Sequence, residues 1–470
     1  MATALHHSST LQRHGWFLLA AALVVGAAAA GAGLAVGELD ALYVSLALAV
    51  CIGVLIDFRI GVVLLLLIVP FSRSEYFPHT LLGIKGLNPL NVMLAGTLFA
   101  WFAQRGGGRG FSGFLPAPLL WLVIAPFAVA TMVGLSHVHE IPTSLFEGAD
   151  SKRAYLLGEV KPLLIVLAAL LVGAAVATSR KPERFLVPVV LAMWPIALLE
   201  IGFFIASGAN LAAAGQDRAF FGPLGVHANE LGRFHMVAYA LLLFCWWEAK
   251  DPALKRFIFI TLGLVAVALL LAFSRAAFLG FLLISALFVF WKFNRKTLSL
   301  AMLAAALAIV FLPAYFYERA TTGFGEGLNS VTAGRLEGLW LPLLPELANS
   351  PLWGNGHSSL KWSEPMRLGT MGVASHTHNA YLQALLDMGV LGLAALLAYY
   401  WHVWRRFRAL GSSPQLTPEL RGYFQGAAAA LAAFLVTGMS GSSLTPEAEF
   451  AYLWASIGMM YGLLARKQAG

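Results

Sequence analysis

Charged side chains are scarce in this chain: of its 470 residues only 11% are Asp, Glu, Lys or Arg. Soluble domains carry about 25% charged residues, so the composition excludes a soluble enzyme. There are two cysteines, Cys51 and Cys245, and both lie inside apolar stretches, which excludes a disulfide framework and a cysteine metal site. The chain has no Asp-x-Asp motif, and Glu447 and Glu449 are the close acidic pair of its external segments, so we expect no cofactor and no divalent metal.

Hydrophobic residues make up 59% of the chain, which predicts an all-α, polytopic helical membrane protein. The apolar runs, some of them short, predict about 12 membrane-spanning helices, within a range of about 12 to 14. We divide the chain into an N-terminal transmembrane bundle, a large external loop and C-terminal transmembrane helices, at residues 1–315, 316–379 and 380–470. The runs lie near 16–36, 41–56, 60–71, 90–103, 116–135, 155–177, 185–206, 233–247, 257–273, 276–291, 298–315, 380–404, 423–439 and 450–464.

The net charge of +8 reflects topology signals, because Lys and Arg accumulate in cytoplasmic turns. Nucleic acid is therefore not an expected partner. Basic residues occur on every second turn, and we predict that these turns and both termini are cytoplasmic. The basic turns contain Arg105/Arg109, Arg180/Lys181/Arg184, Lys250/Lys255/Arg256, Lys292/Arg295/Lys296, Arg405/Arg406/Arg408 and Arg466/Lys467.

The stretch Ser375-His376-Thr377-His378-Asn379 stands where the large loop enters the apolar run 380–404, at the end opposite Arg405 and Arg406. Helix N-termini disfavour imidazolium and bind anions, so His378 is a candidate general base. The alternative is an interfacial histidine that caps the helix. Asp387 follows nine residues later, about 13 Å along the axis and on the opposite face, so we expect it to be structural.

Several Lys and Arg residues lie on the predicted external side, although membrane proteins usually concentrate Lys and Arg in their cytoplasmic turns. Arg275 stands between two apolar runs, where a positive charge is costly unless an anion is bound to it. We favour an anion partner over the alternative, in which the side chain extends to the membrane–water interface. Lys161 lies near the external end of the run 155–177, where substrate binding and pairing with Glu159 are both open. Arg218 and Arg335 lie in loops, where a single arginine is usually solvated.

Taken together, these residues resemble the O-antigen ligase branch of the O-antigen ligase/polymerase superfamily of membrane glycosyltransferases. The family's histidine is followed by Asn, Ser or Gln, nine residues, Gly, two residues and a small residue, as in His378-Asn379, Gly389 and Gly392. Ser274-Arg275-Ala276 and Gly334-Arg335 are similar to the family's two functional arginines. The contexts of Lys161 and Arg218 are similar more weakly, and the resemblance covers residues from about 150 to the C-terminus.

The resemblance implies a glycosyltransferase-C-like fold in the bacterial inner membrane, with its active site on the periplasmic side of the lipid bilayer. It implies a donor glycan on undecaprenyl diphosphate and a lipid A-core sugar hydroxyl as acceptor, which completes lipopolysaccharide. His378 would accept the hydroxyl proton, and Arg275 and Arg335 would stabilise the leaving diphosphate in an inverting displacement. Arg218, Lys161, Asn379 and His376 would contribute to substrate binding.

Other functions remain open at this stage. A glycan polymerase or a protein O-oligosaccharyltransferase of the same superfamily would use the same donor, although the His-Asn spacing favours a ligase. A lipid-linked glycan transporter would need midplane charges and repeat symmetry, neither of which is evident.

The two histidines are two residues apart, and if the helix has already begun at His376 they point in different directions. We then expect His378 to be the base and a His376→Ala variant to keep a substantial fraction of activity.

Overall fold

The computed structural model of the protein describes Leu46 and residues 50–104, 115–208, 219–318 and 321–469, except 73, 75, 76, 82, 83, 143, 146–151 and 312–316. The predicted first span at 16–36 lies outside the described residues, as do Arg105 and Arg109. Within the described part the protein is mostly helical. Its one sheet there is a two-stranded antiparallel hairpin, Thr80–Leu81 with Ile84–Lys85.

The long helices follow the predicted apolar runs closely. We number them α1 to α12: Phe58–Ile68, Pro89–Gln104, Ala117–Glu140, Lys152–Thr178, Pro182–Ala206, Ala228–Glu248, Pro252–Leu271, Arg275–Trp291, Arg295–Phe311, Ala380–Gly411, Pro418–Thr437 and Ala451–Ala469. Short 3-10 helices occur at Val69–Phe71, Ala219–Leu224, Gly438–Ser440 and Ala448–Phe450, and α3 contains a π-helical turn at Leu120–Ile124.

Six helices of the described part are long and apolar enough to cross a membrane, so the chain is a multi-pass membrane protein. These six are α3, α4, α5, α7, α10 and α11. The helix α1 has 11 residues and is followed by Pro70, so it covers only about 16 Å of a hydrocarbon core of about 30 Å. The count of about 12 spans stays a prediction.

Two pairs of helices in the core approach each other closely through small residues. A Cβ added at Gly422 of α11 would lie 2.4 Å from the Phe244 carbonyl oxygen of α6. A Cβ at Gly458 of α12 would lie 2.0 Å from the Ala169 carbonyl oxygen of α4. Each glycine is followed four residues later by another, Gly426 or Gly462, which is the spacing that allows membrane helices to pack backbone to backbone.

The helix α10 is broken at Gly389, whose φ of 64° and ψ of −170° are not helical. The large loop enters this break. Asn355 N and Gly356 N donate to the carbonyls of Leu386 and Asp387, and the amides of Val390 and Leu391 donate to the carbonyls of Pro351 and Leu352. The loop thus provides hydrogen bonds to backbone groups that the break leaves without partners inside the helix.

The large loop contains short helices and a small apolar cluster of its own. The cluster joins Leu339, Leu343, Leu360 and Met366 of the loop to Leu382 and Leu386 of α10. The loop is therefore packed on the first turns of α10, next to the predicted base. Its short helices are Leu328–Val331, Leu336–Trp340, Leu341–Leu343, Glu346–Asn349, Ser359–Trp362 and Glu364–Leu368. The division at 315 and 379 stays a prediction.

Candidate active site

The histidine loop, residues 375–379, lies at the entrance of α10. The helix begins at Ala380, and Asn379 is its N-cap, with a side-chain oxygen that accepts from Tyr381 N at 3.1 Å and Leu382 N at 3.2 Å. The capping residue is therefore Asn379 and not His378, and the amide oxygen of Asn379 is used in the cap. His378 precedes the cap with a φ of 52°, a left-handed conformation that is uncommon for residues other than glycine.

The two histidine rings lie side by side. His376 Nε2 and His378 Nδ1 are 3.1 Å apart, and the ring centroids are separated by 4.1 Å. The condition under which the two rings would point in different directions is not met, because the helix begins only after both residues. Ser375 Oγ lies 3.1 Å from His376 Nδ1, so a continuous hydrogen-bonded path runs from Ser375 through His376 to His378.

Thr377, which lies between the histidines, is fully buried and fixes the loop. Its amide donates to Gln383 Oε1 at 2.9 Å, and its carbonyl accepts from Trp340 Nε1 at 2.8 Å. Gln383 Nε2 donates in turn to both carboxylate oxygens of Asp387 at 3.0 Å. The conformation of the histidine loop is therefore stabilised by hydrogen bonds to Gln383 of α10 and to Trp340 in the Leu336–Trp340 turn of the large loop.

Arg335 immediately precedes that turn and is half-buried near the histidines. Arg275 is the first residue of α8, where Ser274 is the N-cap, and its guanidinium donates to the Thr322 carbonyl at 3.0 Å. The pKa of Arg335 is lowered by burial and by the charges of Arg275 and Arg233. The fold thus brings together Arg275 and Arg335, which are 60 residues apart in the sequence.

Arg233 of α6 is a member of this group that the sequence reasoning missed. Its guanidinium donates to both oxygens of Glu449, at 2.8 Å and 2.9 Å, and both side chains are almost completely buried. A single arginine near the start of an apolar run was a usable signal, because intramembrane charges mark functional positions. We call Arg233, Arg275 and Arg335 the cation cluster.

Burial and the charges of Arg233 and Arg335 act together on the two histidines. Burial, followed by the charges of Arg233, Arg335 and His227, lowers the pKa of His376 to about 4. Burial, followed by His376, Arg335, His227 and Arg233, lowers the pKa of His378 to about 3. Both rings are therefore neutral at physiological pH, and each keeps one ring nitrogen able to accept a proton.

The remaining predicted binding residues are placed differently. Arg218 lies outside the described residues. Lys161 is exposed on α4 and is not among the charges that shift the pKa values of the histidines. Its alternative partner Glu159 is instead directed to His357, with an oxygen 2.6 Å from Nδ1.

His357 belongs to a second buried cluster that the sequence reasoning also missed. It lies between Glu159 of α4 and Asp387 of α10, and the Asp387 oxygen is 4.0 Å from its Nε2. Burial alone would lower the pKa of His357, but the carboxylates of Glu159 and Asp387 outweigh it and raise the pKa. Asp387 also accepts from the Ser359 amide and hydroxyl, at 3.0 Å and 2.9 Å. This cluster attaches the large loop to two membrane helices, which gives Asp387 a structural role.

The described residues contain no group of three or more His, Cys, Asp or Glu side chains arranged to hold a metal ion. Glu449 is paired with Arg233, and Glu447 accepts a hydrogen bond from Ser442 at 3.0 Å. Both acidic side chains of this pair therefore contact other residues of the site.

Residues 257–397 match the family model described as O-antigen ligase. This segment runs from α7 into the second half of α10 and contains Arg275, Arg335, His376 and His378. No curated protein is similar enough to the chain to count as a match. The resemblance noted in the sequence is therefore confirmed over this segment, which is similar to the O-antigen ligase family.

Proposed function

We propose that the protein is an O-antigen ligase, which transfers a glycan from undecaprenyl diphosphate to a sugar hydroxyl of lipid A-core on the periplasmic side of the bacterial inner membrane. One observation carries the proposal: two neutral, paired histidines lie at the entrance of α10, buried and within the electrostatic field of Arg233 and Arg335. A base next to several arginines suits a reaction in which a hydroxyl is deprotonated while a diphosphate leaves.

His378 is the proposed general base. In the productive arrangement, His378 Nδ1–H donates to His376 Nε2, and His376 Nδ1–H donates to Ser375 Oγ. This tautomer leaves the lone pair of His378 Nε2 free for the acceptor hydroxyl. As Nε2 takes the proton, the acceptor oxygen bonds to the anomeric carbon from the face opposite the diphosphate. The bond from that carbon to the diphosphate oxygen breaks, its electron pair leaves with undecaprenyl diphosphate, and the configuration inverts.

The arginines are the proposed diphosphate ligands. Arg275 and Arg335 would bind the phosphate oxygens, because a planar guanidinium can donate two parallel hydrogen bonds to one phosphate. Arg218 and Lys161 are proposed as weaker contacts to the donor, and no metal takes part. Bound diphosphate would also neutralise the cations that depress the pKa of His378. The pKa of the base then rises toward neutrality, where a general base is most effective.

A ligase is favoured over a polymerase or a protein O-oligosaccharyltransferase by the His378-Asn379 to Gly389 spacing. The structure offers a physical reason why that glycine matters, since Gly389 lies in the break of α10 that receives the large loop. The proposal includes a fold of about 12 transmembrane helices, similar to glycosyltransferases of the C type, with the large loop in the periplasm.

The decisive experiment is disruption of the gene, followed by analysis of both glycolipid pools. A ligase predicts lipid A-core without O-antigen, together with accumulated lipid-linked polymer. Accumulation of single lipid-linked repeat units would identify a polymerase instead. Loss of a protein-linked glycan, with lipopolysaccharide unchanged, would identify an oligosaccharyltransferase, and lipid-linked glycan retained on the cytoplasmic face would identify a transporter.

A further inference from the structure

A polar cavity of about 240 Å³ opens between the C-terminal end of α3 and the large loop, on the side of α10 that carries Leu386. His137 and Glu140 line it from α3, and the loop contributes carboxylates, amides and hydroxyls. None of the assigned donor-site residues lines it. The cavity is therefore separate from the histidine loop and the cation cluster.

The cavity wall contains both hydrogen-bond donors and acceptors. Asn355 donates to the Glu346 carbonyl at 2.9 Å, and Glu346 accepts from Asn349 and from the Glu364 amide, at 3.0 Å and 2.8 Å. Each carboxylate oxygen has two lone pairs, so Glu346 keeps acceptor capacity after these bonds. The exposed side chains of Asn349 and Glu364 can turn toward a ligand. Such a wall suits sugar hydroxyls, which donate and accept hydrogen bonds at the same atom.

The charge of the cavity argues against a phosphate ligand. Glu140, Glu346 and Glu364 contribute three carboxylates, and Arg367 is the one arginine or lysine of the wall, paired with Glu140 at 3.1 Å. A diphosphate would be repelled here, whereas it would be attracted to the cation cluster. Among the described residues, no group of three or more His, Cys, Asp or Glu side chains is arranged to hold a metal ion. The amides, hydroxyls and hydrogen-bonded carboxylates of the wall fit an uncharged, hydroxyl-rich ligand better than a phosphate.

The cavity also lies at a suitable distance from the proposed chemistry. Leu386 follows the cap residue Asn379 by seven positions, which is about 10 Å along a helix. Gln383, which fixes the histidine loop through Thr377, lies on the helix between the two places. A sugar in the cavity would therefore belong to the same glycan as the reacting sugar without being the reacting sugar itself.

We propose that this cavity is a saccharide-binding subsite that holds an uncharged sugar of a substrate glycan while another sugar reacts at His378. The inference rests on the proposed function for the identity of the glycan. The sugar comes either from the donor glycan or from the lipid A-core oligosaccharide. Both present the same hydroxyl chemistry to Asn349, Asn355, Glu346 and Glu364.

The test measures binding of two probes to the full-length protein in detergent by saturation-transfer NMR and calorimetry. One probe is the oligosaccharide released from the lipid-linked donor, and the other is a delipidated, dephosphorylated core oligosaccharide. The test variant is the double substitution Asn349→Ala/Glu364→Ala, both at exposed positions. The matched control is Glu326→Ala, at an exposed glutamate of the same loop that does not line the cavity.

We expect at least about 10-fold weaker binding of one probe in the double variant, with binding unchanged in the control and with unchanged thermal unfolding in both. The probe that loses affinity identifies the source of the sugar. Equal binding by the wild-type protein and the double variant would overturn the subsite, as would no binding of either probe. A wild-type protein that binds a probe but transfers no glycan would overturn the proposed function and leave the subsite standing.

Discussion

Replacing Gly389 by alanine is expected to open the junction between the large loop and α10. The φ of 64° and ψ of −170° belong to a region that is almost restricted to glycine, where another residue costs about 1 to 3 kcal/mol. The new Cβ would lie 2.4 Å from the Leu352 carbonyl carbon, so the loop backbone must move. That movement weakens the hydrogen bonds from Val390 and Leu391, each worth about 0.5 to 1.5 kcal/mol.

The two effects together amount to about 2 to 6 kcal/mol. Hydrogen exchange of peptides that cover residues 351–357 and 386–391 measures the opening directly. Even 2 kcal/mol increases the exchange rate of these amides by about 30-fold. Transfer activity should fall as well, because the histidine loop is connected to the break. Thr377 of the loop donates to Gln383, and Gln383 donates to Asp387, which lies two residues before Gly389.

The matched control is Gly263→Ala in α7, where an added Cβ has no heavy atom within 4 Å and the backbone is helical. This substitution should leave the exchange of the two peptides unchanged and stabilise α7 by up to about 1 kcal/mol. If Gly389→Ala exchanges like the wild-type protein at 351–357, the reasoning about the break is refuted.

Four further outcomes are expected. His378→Ala should lower transfer by about 10² to 10⁴ and still bind lipid-linked donor, whereas His376→Ala, which loses only the orienting hydrogen bond, should keep a substantial fraction of activity. Arg275→Ala and Arg335→Ala should each reduce transfer severely, and lysine at either position should restore little, because a point charge lacks the paired donors of guanidinium. Activity of the purified protein should persist in excess chelator. The pKa of His378 in the free protein is lowered to about 3, so kcat/KM should fall through protonation of this base only well below pH 6.5. Bound diphosphate is proposed to raise this pKa, so the acid-side fall of kcat should occur at a higher pH than that of kcat/KM.

Each of these has a contrary result. A dead His376 variant beside an active His378 variant would exchange the roles of the two residues. Full transfer by Arg275→Ala at normal expression would remove that arginine from the donor site. Activity lost in chelator and restored by magnesium or manganese would redirect attention to Glu447 and Glu449. An acid limb of kcat/KM near pH 6.5 would show that burial and the charges of Arg335 and Arg233 do not lower the pKa of the base.

Periodicity and composition alone determined the membrane class and the positions of the long helices. The apolar runs from 60–71 onward coincide with α1 to α12, because a membrane helix must present apolar side chains along its whole length, which is a local property of the sequence. The His378–Gly389 spacing was also local, and it identified the histidine loop before any contact was known. The family match over residues 257–397 agrees with that reading.

The tertiary structure decided which side chains meet. The pairing of His376 with His378 depends on where α10 begins, and the N-cap at Asn379 sets that point. Arg233 contributes to the site because α6 packs next to Glu449, which lies 216 residues later in the chain and accepts a hydrogen bond from the Arg233 guanidinium. The cavity beside Leu386 likewise exists only once the large loop is folded onto α10. Such contacts depend on packing between segments that are distant in the chain, and hydrophobic periodicity predicts only local secondary structure.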